Sequence, residues 1–255
     1  MYKNKMKEKI LNRKEMATYC LVKENAPETV EMIARCGIDG IMIDVQHTSL
    51  TYRDVQDLIR AAEIGGAVPL VRVGSLDEEA ILRYLDMGAM GIQVPDIHNA
   101  EDAQRAVNAV KFPPVGTRGL SVMRAADYSI GRSMTDFVPL SNQETQLFVM
   151  IENQDAIANI DEIMAVEGVD GATIGTTDLS LSLGYPGQPK HPDVLAAIEK
   201  IIAGVQRAGK AVGTQMRDGR TAESMRAEGF TFISCSAAAW IKKCAKDTVK
   251  AATAV

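Results

Sequence analysis

Eight short apolar runs recur along the chain, at residues 17–22, 40–43, 68–73, 91–94, 147–151, 171–174, 211–214 and 230–234. Segments with helical spacing lie between them, at 51–62, 76–85, 99–110, 154–165, 192–208 and 219–228. The runs are apolar throughout rather than alternating, as strands buried on both faces of a parallel sheet are. Strict β-α alternation over 255 residues has the rhythm and size of one (β/α)8 TIM barrel. A doubly wound open sheet fits less well, because LVKENAPETV after the first run has no glycine for a G-x-G-x-x-G turn. Asn99, with Asp102 three residues on, reads as an N-cap followed by an acidic first turn. No linker, low-complexity tract or shift in composition divides the chain, so one domain over residues 1–255 is expected. One interval breaks the rhythm: residues 111–146 separate the fourth and fifth runs, and an insertion of that length points to a functional loop.

Composition removes several classes of function. With 46% hydrophobic and 24% charged residues the chain can bury a full core. Its 28 basic and 33 acidic side chains leave a net charge of −5, which gives no general attraction to nucleic acid or anionic lipid. Cys20, Cys36, Cys235 and Cys244 form no C-x-x-C pair, so they propose neither a zinc site nor a disulfide framework, and a reducing cytoplasm is expected. The opening MYKNKMKEKILNRKEM is interrupted by Lys and Glu where a signal peptide needs an apolar stretch; a short exposed helix is expected there. No apolar run approaches the roughly 20 residues of a membrane span.

In a barrel of this kind the polar residues that follow each strand share one mouth. They are Asp44, Gln46 and His47 after the second run, Arg72 closing the third, Glu152 closing the fifth and Asp178 after the sixth. Each has a plainer reading. His47 fits a loop histidine bonded to backbone, and Glu152 and Asp178 fit helix caps. Arg72 needs an anion, supplied either by a ligand or by a protein partner such as Asp44. Taken together, two carboxylates without nearby Cys or His suit a hard divalent ion such as Mg2+ or Mn2+. Such an ion polarises a carbonyl, and an adjacent arginine neutralises the same oxygen as it becomes an enolate. Gly175, Thr176 and Thr177 before a helix start offer backbone N–H groups to a carboxylate, unless the glycine only serves the turn. The set describes a site for a 2-oxo acid. An imine mechanism lacks its lysine: VDGATIG has none, Lys23 is a weak candidate, and Lys111 and Lys210 read as solvated helix-end charges on the opposite face.

The segments GIDGIMIDVQH, PLVRV, YLDMGAMGIQVP, NAEDAQRAVNAVKFPPVGTRGL, FVMIEN and VDGATIGTTDLSLSLG resemble the HpcH/HpaI class II pyruvate aldolases over most of the chain. That resemblance implies a barrel assembled as a hexamer, a trimer of dimers, with exchanged C-terminal helices. It implies reversible aldol cleavage of a 4-hydroxy-2-oxo acid to pyruvate and an aldehyde through a metal-stabilised enolate. It makes Glu152 and Asp178 the ligands of Mg2+, Mn2+ or Co2+, Arg72 the group that steadies the enolate, and His47 the base at the aldol hydroxyl. Asp44 and Asp86 then match acidic positions that orient His47, Asp86 from a neighbouring subunit. The chain also departs from the family. Gln46 stands where D-x-E-H has Glu, Met150 where Gln is common, Gly175-Thr176-Thr177-Asp178 where Gly-Pro-x-Asp is usual, and Cys235-Ser236-Ala237 where an acidic residue is common.

Three classes of function follow from these residues. The leading one is a metal-dependent aldolase, with oxaloacetate decarboxylation as a related activity that needs no histidine. A non-catalytic 2-oxo-acid binder would fit Gln46 and Met150. A phosphate-binding barrel is disfavoured, because the loops QMRDGR and SCSAAA form no glycine-rich cradle. Arg124 and Tyr128 in the long insertion either close over substrate or pack at a subunit boundary.

Overall fold

The computed structural model describes residues 2–12, 15–216 and 219–253. Its eight strands are β1 Ala17–Val22, β2 Gly40–Asp44, β3 Val68–Arg72, β4 Gly91–Val94, β5 Gln146–Ile151, β6 Gly171–Ile174, β7 Ala211–Gln215 and β8 Phe232–Ser236. Each pairs in parallel with the next, and β8 returns to β1, so the sheet closes into a barrel. The helices are α1 Lys5–Asn12, α2 Pro27–Arg35, α3 Tyr52–Gly65, α4 Glu78–Met87, α5 Ala100–Val110, α6 Met134–Glu144, α7 Gln154–Ala158, α8 Ile160–Ala165, α9 Thr176–Ser182, α10 Pro192–Arg207, α11 Ala222–Ala227 and α12 Ala237–Thr253. The expected (β/α)8 barrel is present, with β8 two residues further on than its apolar run suggested.

Alternate strand residues serve two cores, which is why the runs read as continuously apolar. Tyr19, Met42, Leu70, Phe148 and Phe232 fill the barrel interior. Cys20, Ile41, Ile43, Val71 and Ile151 face outward and pack against helical residues such as Leu58, Ile59, Leu85 and Val107. Local signals place the helices against this surface. Thr51 and Asp54 form a capping box on α3, and Gly66 ends that helix at φ 89°, a left-handed position that costs glycine little. Asn99 caps α5 as its spacing implies, accepting from the Asp102 N–H.

Three expectations are corrected. The first is α1, expected to be exposed. Its Met6 and Ile10, four residues apart and so on one helix face, are buried among the interior side chains and stopper the N-terminal end of the barrel. The buried Asn4 backbone N–H donates to Glu144 Oε2 at 2.7 Å, and Lys7 pairs with Asp170 at 2.9 Å. The second concerns the lysines. Lys111 is buried, with Nζ donating to the Asn142 and Thr145 carbonyls at 2.9 and 2.5 Å, and burial depresses its pKa to about 8. Lys210 is half-buried, donates to the Val166 carbonyl at 2.6 Å, and is likewise depressed by burial.

The third is the long insertion. It leads from a helix back to a strand, so it lies on the N-terminal face, away from the mouth. It carries a 3₁₀ turn at Arg124–Ser129 and α6, which enclose a small core of Phe112, Ala125, Ala126 and Phe137. Arg124 pairs with Glu63 near the end of α3 and donates to the Met87 carbonyl, so neither it nor Tyr128 beside it closes over this chain's own mouth.

Candidate active site

The register of β2 on β3 sets Asp44 directly opposite Arg72. Arg72 Nε donates to Asp44 Oδ1 at 3.0 Å and Nη2 to Oδ2 at 2.6 Å, a bidentate pair at the rim. Asp44 has no solvent exposure; Lys23 Nζ lies 3.3 Å from its Oδ2, and the Gln46 N–H donates to its Oδ1 at 3.0 Å. Burial pushes the Asp44 carboxyl up, but the Arg72 hydrogen bonds and charge, with Lys23, hold it below the ordinary aspartate value. Asp44 therefore fixes Arg72, and among the described residues its carboxylate hydrogen bonds go to Arg72 and the Gln46 N–H rather than to His47.

Glu152 leaves the end of β5 and is almost fully buried. Its Oε1 accepts the Asp96 N–H at 2.9 Å, while Oε2 is buried without a partner. That free oxygen faces Gly175, where an added Cβ would sit 2.3 Å away, so only glycine leaves it room. Burial raises the Glu152 pKa to about 6; the Asp178 charge adds to the rise, and the Asp96 N–H and Arg72 oppose it. Neither carboxylate is a helix cap, since Asn153 caps α7 and Gly175 precedes α9 with no side-chain cap. Asp178 stands exposed in the first turn of α9.

Asp96 holds a left-handed backbone at φ 54°, unusual for a residue other than glycine. A clamp maintains it: Asp96 Oδ1 meets His98 Nε2 at 3.0 Å and Asn153 Nδ2 at 3.4 Å, and His98 Nδ1 meets Asp155 Oδ2 at 3.0 Å. The hydrogen bond to Asp155, with Asp96 adding, raises the His98 pKa.

A cleft of about 100 Å³ opens beside Arg72 and Asp178, lined also by Leu21, Met150, Gly175, Thr176 and Thr177. Its floor is polar. Gln93 Oε1 accepts from Thr173 Oγ1 at 3.1 Å and from the Tyr19 hydroxyl at 3.4 Å, and Ser234 lies with them. None of these four stood out in the sequence. Their only signal was a polar side chain inside an apolar run, and the run did not say which face it was on.

The remaining candidates are not brought together. His47 lies in the loop after β2, exposed and without a hydrogen bond among the described residues. Asp86 ends α4 on the opposite face, where Arg118 Nη2 donates to it at 2.9 Å, with the guanidinium over the Phe112 ring. Gly175, one of the three expected donors, spends its N–H on the Ile151 carbonyl at 3.4 Å. Arg217 and Asp218 of the QMRDGR loop lie outside the described residues. No helix among the described residues is long and apolar enough to cross a membrane.

Residues 18–239 match the family model described as HpcH/HpaI aldolase/citrate lyase. The chain belongs to that family. A hydroxypyruvate/pyruvate aldolase of Roseobacter denitrificans is 36% identical over 81% of this chain and 80% of its own. A 4-hydroxy-2-oxo-heptane-1,7-dioate aldolase of Shigella sonnei is 35% identical over 81% of this chain and 78% of its own. An HpcH/HpaI aldolase/citrate lyase family structure from Burkholderia cenocepacia superposes with a TM-score of 0.91 at 29% identity, covering 98% of this chain and 99% of the other. Within the HpcH/HpaI frame this chain's departures become physical. Met150 is buried and puts a thioether against the cleft, and the Gln46 Oε1 is buried without a partner beside the Arg72–Asp44 pair's loop.

Proposed function

We propose that this HpcH/HpaI enzyme is a class II aldolase that cleaves a 4-hydroxy-2-oxo acid reversibly to pyruvate and an aldehyde. The observation that carries the reading is the unpartnered, buried Glu152 Oε2, held open by Gly175 next to the charge of Asp178. Among the described residues no cluster of three His, Cys, Asp or Glu side chains is set for a metal. Two carboxylates and a substrate's own oxygens suit Mg2+, Mn2+ or Co2+. Glu152 and Asp178 would hold the ion, which when bound supplies Lewis acidity to the 2-oxo group.

The chain's own residues do the rest. With Nε and Nη2 committed to Asp44, Arg72 has Nη1 left to meet the keto oxygen and balance its growing negative charge. Thr176 and Thr177 border the position of the substrate carboxylate. Met150 and Leu21 keep water from the carbon that becomes nucleophilic. His47 takes the proton from the aldol hydroxyl in cleavage and returns it to the aldehyde oxygen in condensation. Asp86, committed to Arg118 at the far end of its own barrel, orients His47 only across a subunit boundary, which the expected hexamer with exchanged α12 helices would provide. A reducing cytoplasm suits four cysteines that are all free.

The test is exchange of pyruvate methyl protons for deuterium with Mg2+ or Mn2+. Wild-type protein is expected to exchange them, and Arg72→Ala to lose about 100-fold or more in rate. His47→Ala is expected to retain oxaloacetate decarboxylation while losing aldol cleavage by about 100-fold or more. Absence of exchange in the metal-loaded wild type overturns the reading.

A further inference from the structure

Cys20 and Cys235 stand directly opposite each other across the β1–β8 seam that closes the barrel. Both point outward into the core between strands and helices, while their neighbours Tyr19, Leu21 and Ser234 line the cleft on the inside. Paired strands run about 4.8 Å apart and disulfides span Cα separations of about 4.4–6.8 Å, so a registered pair is within reach at the short end of the range. The Cys235 thiol donates across the seam to the Tyr19 carbonyl at 3.3 Å, and the Cys20 thiol to the Leu21 carbonyl at 3.8 Å. Ala237, the first residue of α12, is buried in the same outward core as the two cysteines. The neighbouring Cys235 thiol, opposed by burial, lowers the Cys20 pKa, and the neighbouring Cys20, then burial, raises that of Cys235. Cys20 has no solvent exposure and Cys235 is partly exposed, so only Cys235 is open to a reagent.

We propose that Cys20 and Cys235 are a disulfide-forming site, with Cys235 meeting a small-molecule disulfide from solution and Cys20 resolving the adduct. In the first step the Cys235 thiol gives up its proton to water. The Cys235 sulfur attacks the small disulfide, one new S–S bond forms as the old one breaks, and a small thiolate leaves and takes a proton from water. In the second step Cys20 gives up its proton to solvent and its sulfur attacks that of Cys235. The mixed S–S bond breaks, and the second small thiolate leaves and is protonated. Two protein thiols and one small disulfide become one protein disulfide and two small thiols, so the protein is oxidised by two electrons and the reagent reduced by two. The link ties the barrel's first strand to its last, two residues before α12 begins. The short separation across directly paired strands makes the bond strained and therefore readily reversed.

Exposed Cys36 and Cys244 would form bonds between molecules, so the test uses the Cys36→Ser, Cys244→Ser protein. Treatment with oxidised glutathione, alkylation and peptide mapping should give a chain lighter by two hydrogens, with the Cys20 and Cys235 peptides joined, and dithiothreitol should restore both free thiols. Adding Cys20→Ser should stop the reaction at a glutathione adduct on Cys235, and adding Cys235→Ser should leave Cys20 unmodified. Recovery of both cysteines as alkylated thiols from the treated protein, in which neither has been substituted, overturns the proposal whatever the two Ser variants do.

Discussion

Glu152 spends one oxygen on a backbone N–H and leaves the other bare, and its pKa near 6 follows from that arrangement. Its protonation ties two observable quantities together. A carboxyl whose folded value is raised above its ordinary 4.5 binds its proton more tightly in the folded state. Its contribution to the metal-free protein is therefore present at low pH and fades as pH rises through about 6, by about 2 kcal/mol in all. Chemical unfolding in chelator at pH 4.5 and 7 should show this loss in the wild type relative to Glu152→Gln. Mn2+ needs the ionised form, so its affinity should fall about tenfold per pH unit below 6 by calorimetric titration. An affinity flat between pH 5 and 7 contradicts the assignment. At this scale the positions of Arg72, Glu152 and Asp178 at or just after strand ends were legible because polar side chains at the ends of apolar runs have few reasons to be there. The Asp44 bond to Arg72 was one of two partners the sequence allowed, and strand register decided between them. The clamp of Asp96, His98 and Asp155 was not legible, since it joins two loops 57 residues apart.

Among the elements, all eight strands were visible because burial on both faces leaves an unbroken apolar signature. Helices with strong caps were visible too, whereas α2, which has no side-chain cap, and α6, with Pro139 inside it, were missed. The misreading of α1 has a physical cause: eight residues with Lys at three positions look solvated, but helical spacing gathers Met6 and Ile10 onto one side. Met6 also lies against Gly40, where a Cβ would meet its sulfur at 2.8 Å. Met6→Ala should cost about 2–4 kcal/mol in urea-induced unfolding, since its buried methylenes are lost and the closed barrel end collapses only partly. Pyruvate proton exchange under native conditions should persist, because the plug lies at the face away from the mouth. A loss under about 0.5 kcal/mol would mean that α1 merely rests on the barrel.

For the whole molecule the unusual feature is α12, which buries only Ala237 and leaves Trp240, Ile241 and Val249 exposed at 41, 61 and 63%. Beside its root an apolar groove of about 310 Å³ is lined by Val22, Ala26, Val30 and Ile241. An isolated helix of this kind gains little stability from propensity alone and is normally held by packing. If exchanged helices supply that packing, Trp240→Lys with Ile241→Lys should lower the sedimentation coefficient from that of an oligomer toward that of one barrel, with circular dichroism little changed. An unchanged sedimentation coefficient would leave α12 outside the subunit contact. Oligomeric order was not legible beyond its family resemblance, because the residues that meet across subunits carry no spacing within one chain.

The plug of Met6 and Ile10 also bears on the order of events in turnover. A barrel filled by Tyr19, Met42, Leu70, Phe148 and Phe232 and stoppered below them has a single opening, and both halves of a cleaved substrate must leave by the way they came. With the 2-oxo acid deepest, against Glu152 and Arg72 as proposed, the aldehyde departs first. In the synthetic direction the order reverses, and an aldehyde that arrives early blocks the path of its own partner, which makes excess aldehyde an inhibitor competitive with pyruvate.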